Sequence, residues 1–247
     1  MRTMATQAAM ISSTAFSPAY QTVHEAGAAL SMHRHGARYV SLVVAGSYVE
    51  VGLEGPLDCI PGVVVMHPEF HAHGDRFGRG GARTLNVELP TPGIGGGVCA
   101  WHVDDLDEAK DVFLRAPGHL LALLAGATLL ERSGLPPWQV VMADAVRDGD
   151  AGLGDIARDL GVSPEHASRA LARSHGMSPR ALRREARWRR ALRLLEGELP
   201  LAEVAVAAGF SDQSHLCRVT LMNTGSTPGR LRQRIKCVQD APGAAAA

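Results

Sequence analysis

Four histidines stand in two pairs of identical spacing, His33-x-His35 and His71-x-His73. Residues two apart on a β-strand point to one face, so each pair can aim both imidazoles at one site. Three or four inward imidazoles can hold a divalent metal such as zinc, iron, nickel or manganese. The same rings, with Tyr39, can instead line a pocket for an organic ligand. Structural histidines bonded to backbone or water are the third reading. A second chemistry belongs to the C-terminal half, where Arg169 and Arg218 occupy matching places in two similar stretches. Arginine pairs bidentately with guanine O6 and N7 in the major groove, at about 1–3 kcal/mol of discrimination. A salt bridge within the domain is its alternative use.

The elements that would position these arginines are legible as a repeat. Ile156-Ala157-Arg158-Asp159-Leu160-Gly161-Val162-Ser163 leads through Arg169 to Gly176, Ser178 and Pro179. Val204-Ala205-Val206-Ala207-Ala208-Gly209-Phe210-Ser211 leads through Arg218 to Gly225, Thr227 and Pro228, with one extra residue in the second copy. Each copy reads as a helix-turn-helix. A short helix (153–160, 201–208) stops at a glycine able to take the left-handed conformation of a sharp exit. A serine then caps the next helix (164–175, 212–224). Small residues at Ala157 and Ala205 let the two helices cross closely. Residues 178–196 join the copies as a helix carrying seven arginines around a stripe of Ala181, Trp188, Ala191, Leu192 and Leu195. Such a helix spans about 28 Å. That length can set two recognition helices about one duplex turn, roughly 34 Å, apart.

Residues 137–236 closely resemble the AraC/XylS family of transcription regulators. The resemblance rests on Gly176-Met177-Ser178-Pro179, on Arg187-x3-Ala191-x2-Leu194-Leu195, and on Ala208-Gly209-Phe210-Ser211-Asp212-Gln213-Ser214-His215-Leu216. It implies double-stranded DNA as the partner. It places the base and phosphate contacts on Glu165, Ser168, Arg169 and Arg173 in the first unit, and on Gln213, Ser214, Cys217 and Arg218 in the second. Leu171 and Thr220 depart from the family's usual buried phenylalanine, and Ala172 and Leu221 from its frequent basic residues. A threonine in a small core needs a partner, which a carbonyl one turn earlier can supply. Thr220 therefore marks the second unit as the weaker copy.

The chain of 247 residues has no net charge, but the charge is divided. Residues 137–236 hold 16 Lys/Arg and 11 Asp/Glu, a net of +5, whereas residues 1–136 hold 9 and 13, a net of −4. The half with the repeat is the basic half, as phosphate binding requires. Cys59, Cys99, Cys217 and Cys237 form no C-x-x-C pair, which argues against a zinc ribbon or disulfide framework and fits a reducing, cytoplasmic setting. No apolar run has membrane-spanning length.

From about residue 30 to 90 the pattern turns to period two. Strands are expected at 39–46 and 47–51, meeting in a turn at Gly46, and at 62–66 and 83–89. Gly27-x5-His33-x-His35-x3-Tyr39-x6-Gly46 and Gly62-x5-Pro68-x-Phe70-x2-His73 have the spacing of the two cupin signatures. This resemblance implies a jelly-roll β-barrel, with His33, His35 and His73 at metal-ligand positions. Tyr39 replaces the cupin carboxylate and Phe77 the usual asparagine, so a cupin metalloenzyme is the less favoured alternative. No acid/base set for catalysis is identifiable, and a non-enzymatic role is expected. Arg76 can pair with an anionic ligand or form a rim salt bridge.

Residues 103–133 read as helical, capped by Asp104-Asp105 and broken at Gly118, with the apolar second helix (119–132) packing on a neighbour or forming a homodimer seam. The expected layout is α+β in two domains: a tail at 1–19, a cupin-like sensor at 20–100, and a helical connection at 101–136 with a linker at 134–137. An all-α double helix-turn-helix domain follows at 137–236, then a tail at 237–247. The function implied is DNA-binding transcription regulation under a small-molecule effector. A constitutive dimeric regulator without ligand is the alternative.

Overall fold

The computed structural model describes residues 16–90, 96–132 and 134–239. Strands β1 (Tyr20–His24), β2 (Ala29–Arg34), β3 (Tyr39–Gly52), β4 (Leu57–Cys59), β5 (Val63–His67), β6 (Ala72–Glu88) and β7 (Cys99–His102) come first. Helices α1 (Leu106–Arg115) and α2 (Leu120–Ala125) and the short strand β8 (Thr128–Leu129) follow. Every pairing is antiparallel, in the order β1-β6-β3-β5-β7-β8, with β2 added on β6 and β4 on β3. The long strands β3 and β6 pair along most of their length and serve two layers. One half of each lies between β1 and β5, the other between β2 and β4.

The turn expected at Gly46 is instead a kink inside one continuous strand. The β3–β6 register shifts between Val43 and Ala45 and again between Gly46 and Tyr48. Gly46 has φ 71°, and a Cβ there would stand 2.0 Å from the Gly81 carbonyl oxygen, so only glycine fits. A bulge bends a strand and changes which residues face inward. Before it, Tyr39 and Val43 point into the space between the layers; after it, Tyr48 and Glu50 do. Val43, Tyr48, Leu57, Val63, Val65 and Phe77 form the apolar part of that interior.

The outer face of one layer is covered by α1 and α2. Phe113, Leu120 and Leu124 pack there on Val40, Leu42, Val64 and Val87. Asp105 caps α1 as expected, accepting from the backbone N–H of Asp107 and Glu108. The helix expected to run to 132 ends at Ala125, because Thr128 and Leu129 pair with β7. The segment 101–136 is thus only partly helical, since Trp101 and His102 lie within β7. Phe16 and Ala19 pack on this core, and Ser17 bonds the backbone of Glu88, so the chain is on the sheet before Tyr20. Of the second expected tail, residues 237–239 belong instead to the last helix, which runs Pro228–Gln239. The rest of both tails, 1–15 and 240–247, lies outside the described residues.

The C-terminal half is α3 (Pro137–Asp148), α4 (Leu153–Asp159), α5 (Pro164–His175), α6 (Pro179–Leu195), α7 (Leu201–Ala207), α8 (Gln213–Thr224) and α9 (Pro228–Gln239). Gly161 and Gly209 turn between paired helices at φ 67° and 87°. Gly176 and Gly225 end α5 and α8 in the left-handed conformation. Ser163 caps α5, but Asp212, not Ser211, caps α8, accepting from the His215 N–H. Ser211 instead bonds the Asp212 carboxylate and the His215 ring. Helix α6 serves two cores: Leu182 and Ala186 pack with α3, α4 and α5, and Trp188, Leu192 and Leu195 with α7, α8 and α9. No described helix is long and apolar enough to cross a membrane.

Candidate functional site

The duplicated units present α5 and α8 with apolar residues inward and polar ones outward. Ala167, Ala170 and Leu171 are buried on α5, and Leu216, Val219 and Thr220 on α8. Glu165, Arg169, Arg173, Gln213, Ser214 and Arg218 are exposed, and Ser168 and Cys217 are half-buried. Among the described residues, neither Arg169 nor Arg218 forms an ion pair. Thr220 donates to the Leu216 carbonyl at 2.8 Å, as its burial demands.

Four of the seven arginines of α6 are less available than the sequence suggested. Arg183 donates to the Val146 carbonyl at 3.2 Å, Arg187 pairs with Asp150 at 2.7 Å, and Arg190 with Asp148 at 3.5 Å. Arg189 is buried and donates to the Glu69 carbonyl at 2.9 Å. These guanidiniums hold the helical half together and fix it to the sheet. Arg180, Arg184 and Arg193 of α6 remain exposed, beside the exposed arginines of α5 and α8.

The sequence-predicted histidines do converge. His33, His35 and His73 bring ligand atoms within 4.8 Å of one another. Ring centroids of His33 and His35 stand 4.3 and 5.3 Å from that of His73. Two residues missed by sequence reasoning join them. Glu50, His67 and His73 form a second, fully buried group, also with ligand atoms within 4.8 Å. His67 bonds Glu50 at 2.7 Å and stacks on Tyr39, 4.4 Å between centroids and 9° between planes. Tyr39 Oη lies 3.3 Å from His73 Nε2. His71 turns instead to Glu54, at 2.9 Å. The signal for His67 was its parity with Val63 and Val65. Glu50 was hidden, because alternation counted from Tyr39 places it outside, and only the bulge brings it in.

The electrostatics of this cluster follow from burial. Desolvation and the neighbouring His33 and His67 depress His35 to about 4. Burial likewise lowers His73 well below the ordinary imidazole value. Burial pushes Glu50 up, but the charge and hydrogen bond of His67 outweigh it and hold the carboxyl well below the usual range. Opposite Glu50 on β6, Asp75 is pushed up to about 8 by burial and then by Glu50. Glu50 Oε1, Asp75 Oδ1, and the Nδ1 atoms of His67, His71 and His73 have no hydrogen-bond partner among the described residues. Buried polar atoms are nearly always paired, so this concentration makes the cluster the candidate site for a polar guest. Two open clefts lie elsewhere: one of about 570 Å³ between α1 and α2, and one of about 340 Å³ between β2, β6 and the end of α5.

A loop connects this cluster to the second helix-turn-helix. Between His67 and His71, Phe70 leaves the sheet and buries its ring among Trp188, Leu192, Leu231 and Ile235. Its φ is 56°, a left-handed conformation costing roughly 1–2 kcal/mol for a residue with a side chain. The conformation is held from both sides: the Phe70 N–H donates to the His35 carbonyl at 2.9 Å, and Arg34 donates to the Phe70 carbonyl at 2.7 Å. Arg34 also makes a two-pronged pair with Glu185 of α6, and Arg234 of α9 pairs with Glu69 and covers the Phe70 ring. Among the described residues Arg76 pairs with no acidic group; it donates instead to the Arg173 carbonyl at the end of α5.

Residues 156–234 match a family model described as a helix-turn-helix domain. The chain is 30% identical over 179 residues to the transcriptional activator NphR of Rhodococcus sp, covering 70% of this chain and 52% of that protein. It is 39% identical over 80 residues to the HTH-type transcriptional regulator GlxA of Rhizobium meliloti (strain 1021), covering 32% and 25%. The chain thus spans about half the length, or less, of these curated relatives. Among solved structures, the C-terminal domain of AraT from Geobacillus stearothermophilus is 27% identical with a TM-score of 0.38, over 41% of this chain and 88% of that one. Unsaturated fatty acid bound wild-type ToxT from Vibrio cholerae strain SCE256 is 12% identical with a TM-score of 0.42, over 92% and 98%. The duplicated units, the motifs on α6 and α8 and the family match together identify residues 156–234 as an AraC-type helix-turn-helix domain, preceded in the chain by an antiparallel sheet domain.

Proposed function

We propose that this chain is a sequence-reading transcription regulator, in which α5 and α8 enter successive major grooves of double-stranded DNA and the sheet domain senses a small effector. The observation that carries the reading is the matched pair Arg169 and Arg218, exposed at equivalent places on duplicated helices and without ion-pair partners among the described residues. Glu165, Ser168 and Arg173 share the first groove with Arg169, and Gln213, Ser214 and Cys217 the second with Arg218. Recognition helices read bases with their N-terminal residues, and α5 meets the sheet at its C-terminal end, which leaves Glu165, Ser168 and Arg169 open.

The two layers sharing β3 and β6 support a cupin-like jelly roll, and the cluster of His33, His35, Tyr39, His71 and His73 supports an effector site in its interior. An effector shifts the output only by binding one state better than another. The Phe70 loop offers the route, since its ends lie at His67 and His71 and its tip lies in the core beside α8. The test is mobility shift on DNA selected by the wild-type chain from a random pool. Each of R169A and R218A is expected to weaken binding about 5- to 150-fold. Undiminished binding by both would end the base-reading assignment.

A further inference from the structure

We propose that Glu50, His67 and His73 bind a divalent transition-metal ion between the two layers of the sheet. The three come from β3, β5 and β6, all are buried, and one ligand atom from each lies within 4.8 Å of the others. Bond lengths of about 2.0–2.2 Å to imidazole and carboxylate need only a small contraction of that arrangement. Two imidazoles and one carboxylate suit iron(II), cobalt, nickel or zinc. These positions differ from the cupin-like trio His33, His35 and His73, sharing only His73.

Three further observations favour an ion over an organic guest or plain structural histidines. Each of the three residues keeps one buried polar atom without a hydrogen-bond partner among the described residues. The rings stand against one another, with centroids of His67 and His73 4.7 Å apart, too close for an organic molecule to lie between them. Supporting groups already orient the donors, as outer partners of metal ligands do. Tyr39 stacks on His67 and reaches His73, and His33 on the open side is oriented by the Ser31 carbonyl at 2.9 Å. His33 and His35 then form the way in.

Bound there, the ion would tie β5 to β6 on either side of the loop that carries Phe70. A role as the effector rests on the regulator reading above; the site itself does not. The experiment is calorimetric titration of the metal-stripped full chain with Zn²⁺, Ni²⁺ and Co²⁺, with X-ray absorption on the loaded wild-type protein. One ion per chain, a shell containing imidazole and carboxylate, and a 10- to 100-fold or greater loss in E50Q and H67Q are expected. H119Q, which removes an exposed histidine on the short turn before α2, should bind as wild type does. Circular dichroism confirms that the variants remain folded. The proposal is overturned if the folded wild-type chain takes up none of these ions, or if its shell lacks a carboxylate. It is also overturned if E50Q and H67Q bind normally while a His33→Ala/His35→Ala variant does not. Mobility shift on the same preparations separates the two readings: a chain that binds metal but no DNA supports the metal site and contradicts the regulator.

Discussion

The two helix-turn-helix units are built alike and held differently. The first is fused to the sheet: Met142, Ile156 and Leu171 share a core with Leu53 and Ala72. Gly176 lies so close to β3 that a Cβ there would be 2.7 Å from Val51 Cγ2, and His175 rests against Gly55. The second unit receives a single sheet residue into its core, Phe70. Glycine ends both recognition helices, yet nothing lies within 4 Å of a Cβ at Gly225. The difference suggests a division of labour. The first unit is anchored on the sheet, while among the described residues the core of the second takes in only the Phe70 loop, whose ends lie in the histidine–carboxylate cluster. Under the proposed function, that loop would carry a change in the cluster to the second unit.

The comparison breaks most visibly at Phe70. Phe70→Ala empties a core and should cost about 3–5 kcal/mol of stability. Thermal melting together with protection of α7–α9 in hydrogen exchange should show the loss concentrated in the second unit. Uniform loss over both units would contradict the tether. The paired glycines come next. Gly176→Ala adds overpacking to left-handed strain, about 2–4 kcal/mol, whereas Gly225→Ala carries the strain alone, about 1–2 kcal/mol. Equal shifts in denaturation midpoint would mean that the first unit is not pressed on the sheet.

Acid should loosen the anchored side. Burial and then Arg147 lower His175 to about 4. A depressed folded value means that neutral His175 contributes stability above the ordinary imidazole value of about 6.5, lost as pH falls from there toward 4. Between pH 8 and pH 5 this amounts to about 2 kcal/mol. In H175Q the fall in midpoint over that range should be correspondingly smaller; an unchanged pH dependence would show that His175 is not the responsible group. The smallest effect belongs to Thr220, whose hydroxyl is already satisfied within its own helix. Thr220→Val should change stability by less than about 1 kcal/mol, and a larger loss would restore the second copy's reputation as the strained one.

Much of the helical half was legible because local rules and tertiary structure agree there. Glycine exits, Pro at first helical positions and the 3.6-residue apolar period fix α5 and α6 at the spans read from sequence. Where two caps competed, at Ser211 and Asp212, the extra residue of the second turn decided for aspartate. The sheet was less legible because one bulge resets the alternation on which strand reading depends. Tyr39 and the paired histidines were found by spacing, but Glu50 falls on the wrong parity until Gly46 kinks the strand. The contacts between halves were invisible for another reason. Arg34 with Glu185 and Arg189 with Glu69 join residues more than a hundred positions apart, and no local pattern announces such a pairing.

The most direct test of two matched readers is selection of binding sites from a random DNA pool by the wild-type chain, R169A and R218A in parallel. The account predicts that R169A relaxes base preference in one half of the recovered site and R218A in the other. The two affected positions should be separated by about one helical turn, roughly 10 base pairs. Relaxation of the same positions by both variants, or recovery of the wild-type motif unchanged by either, would contradict it.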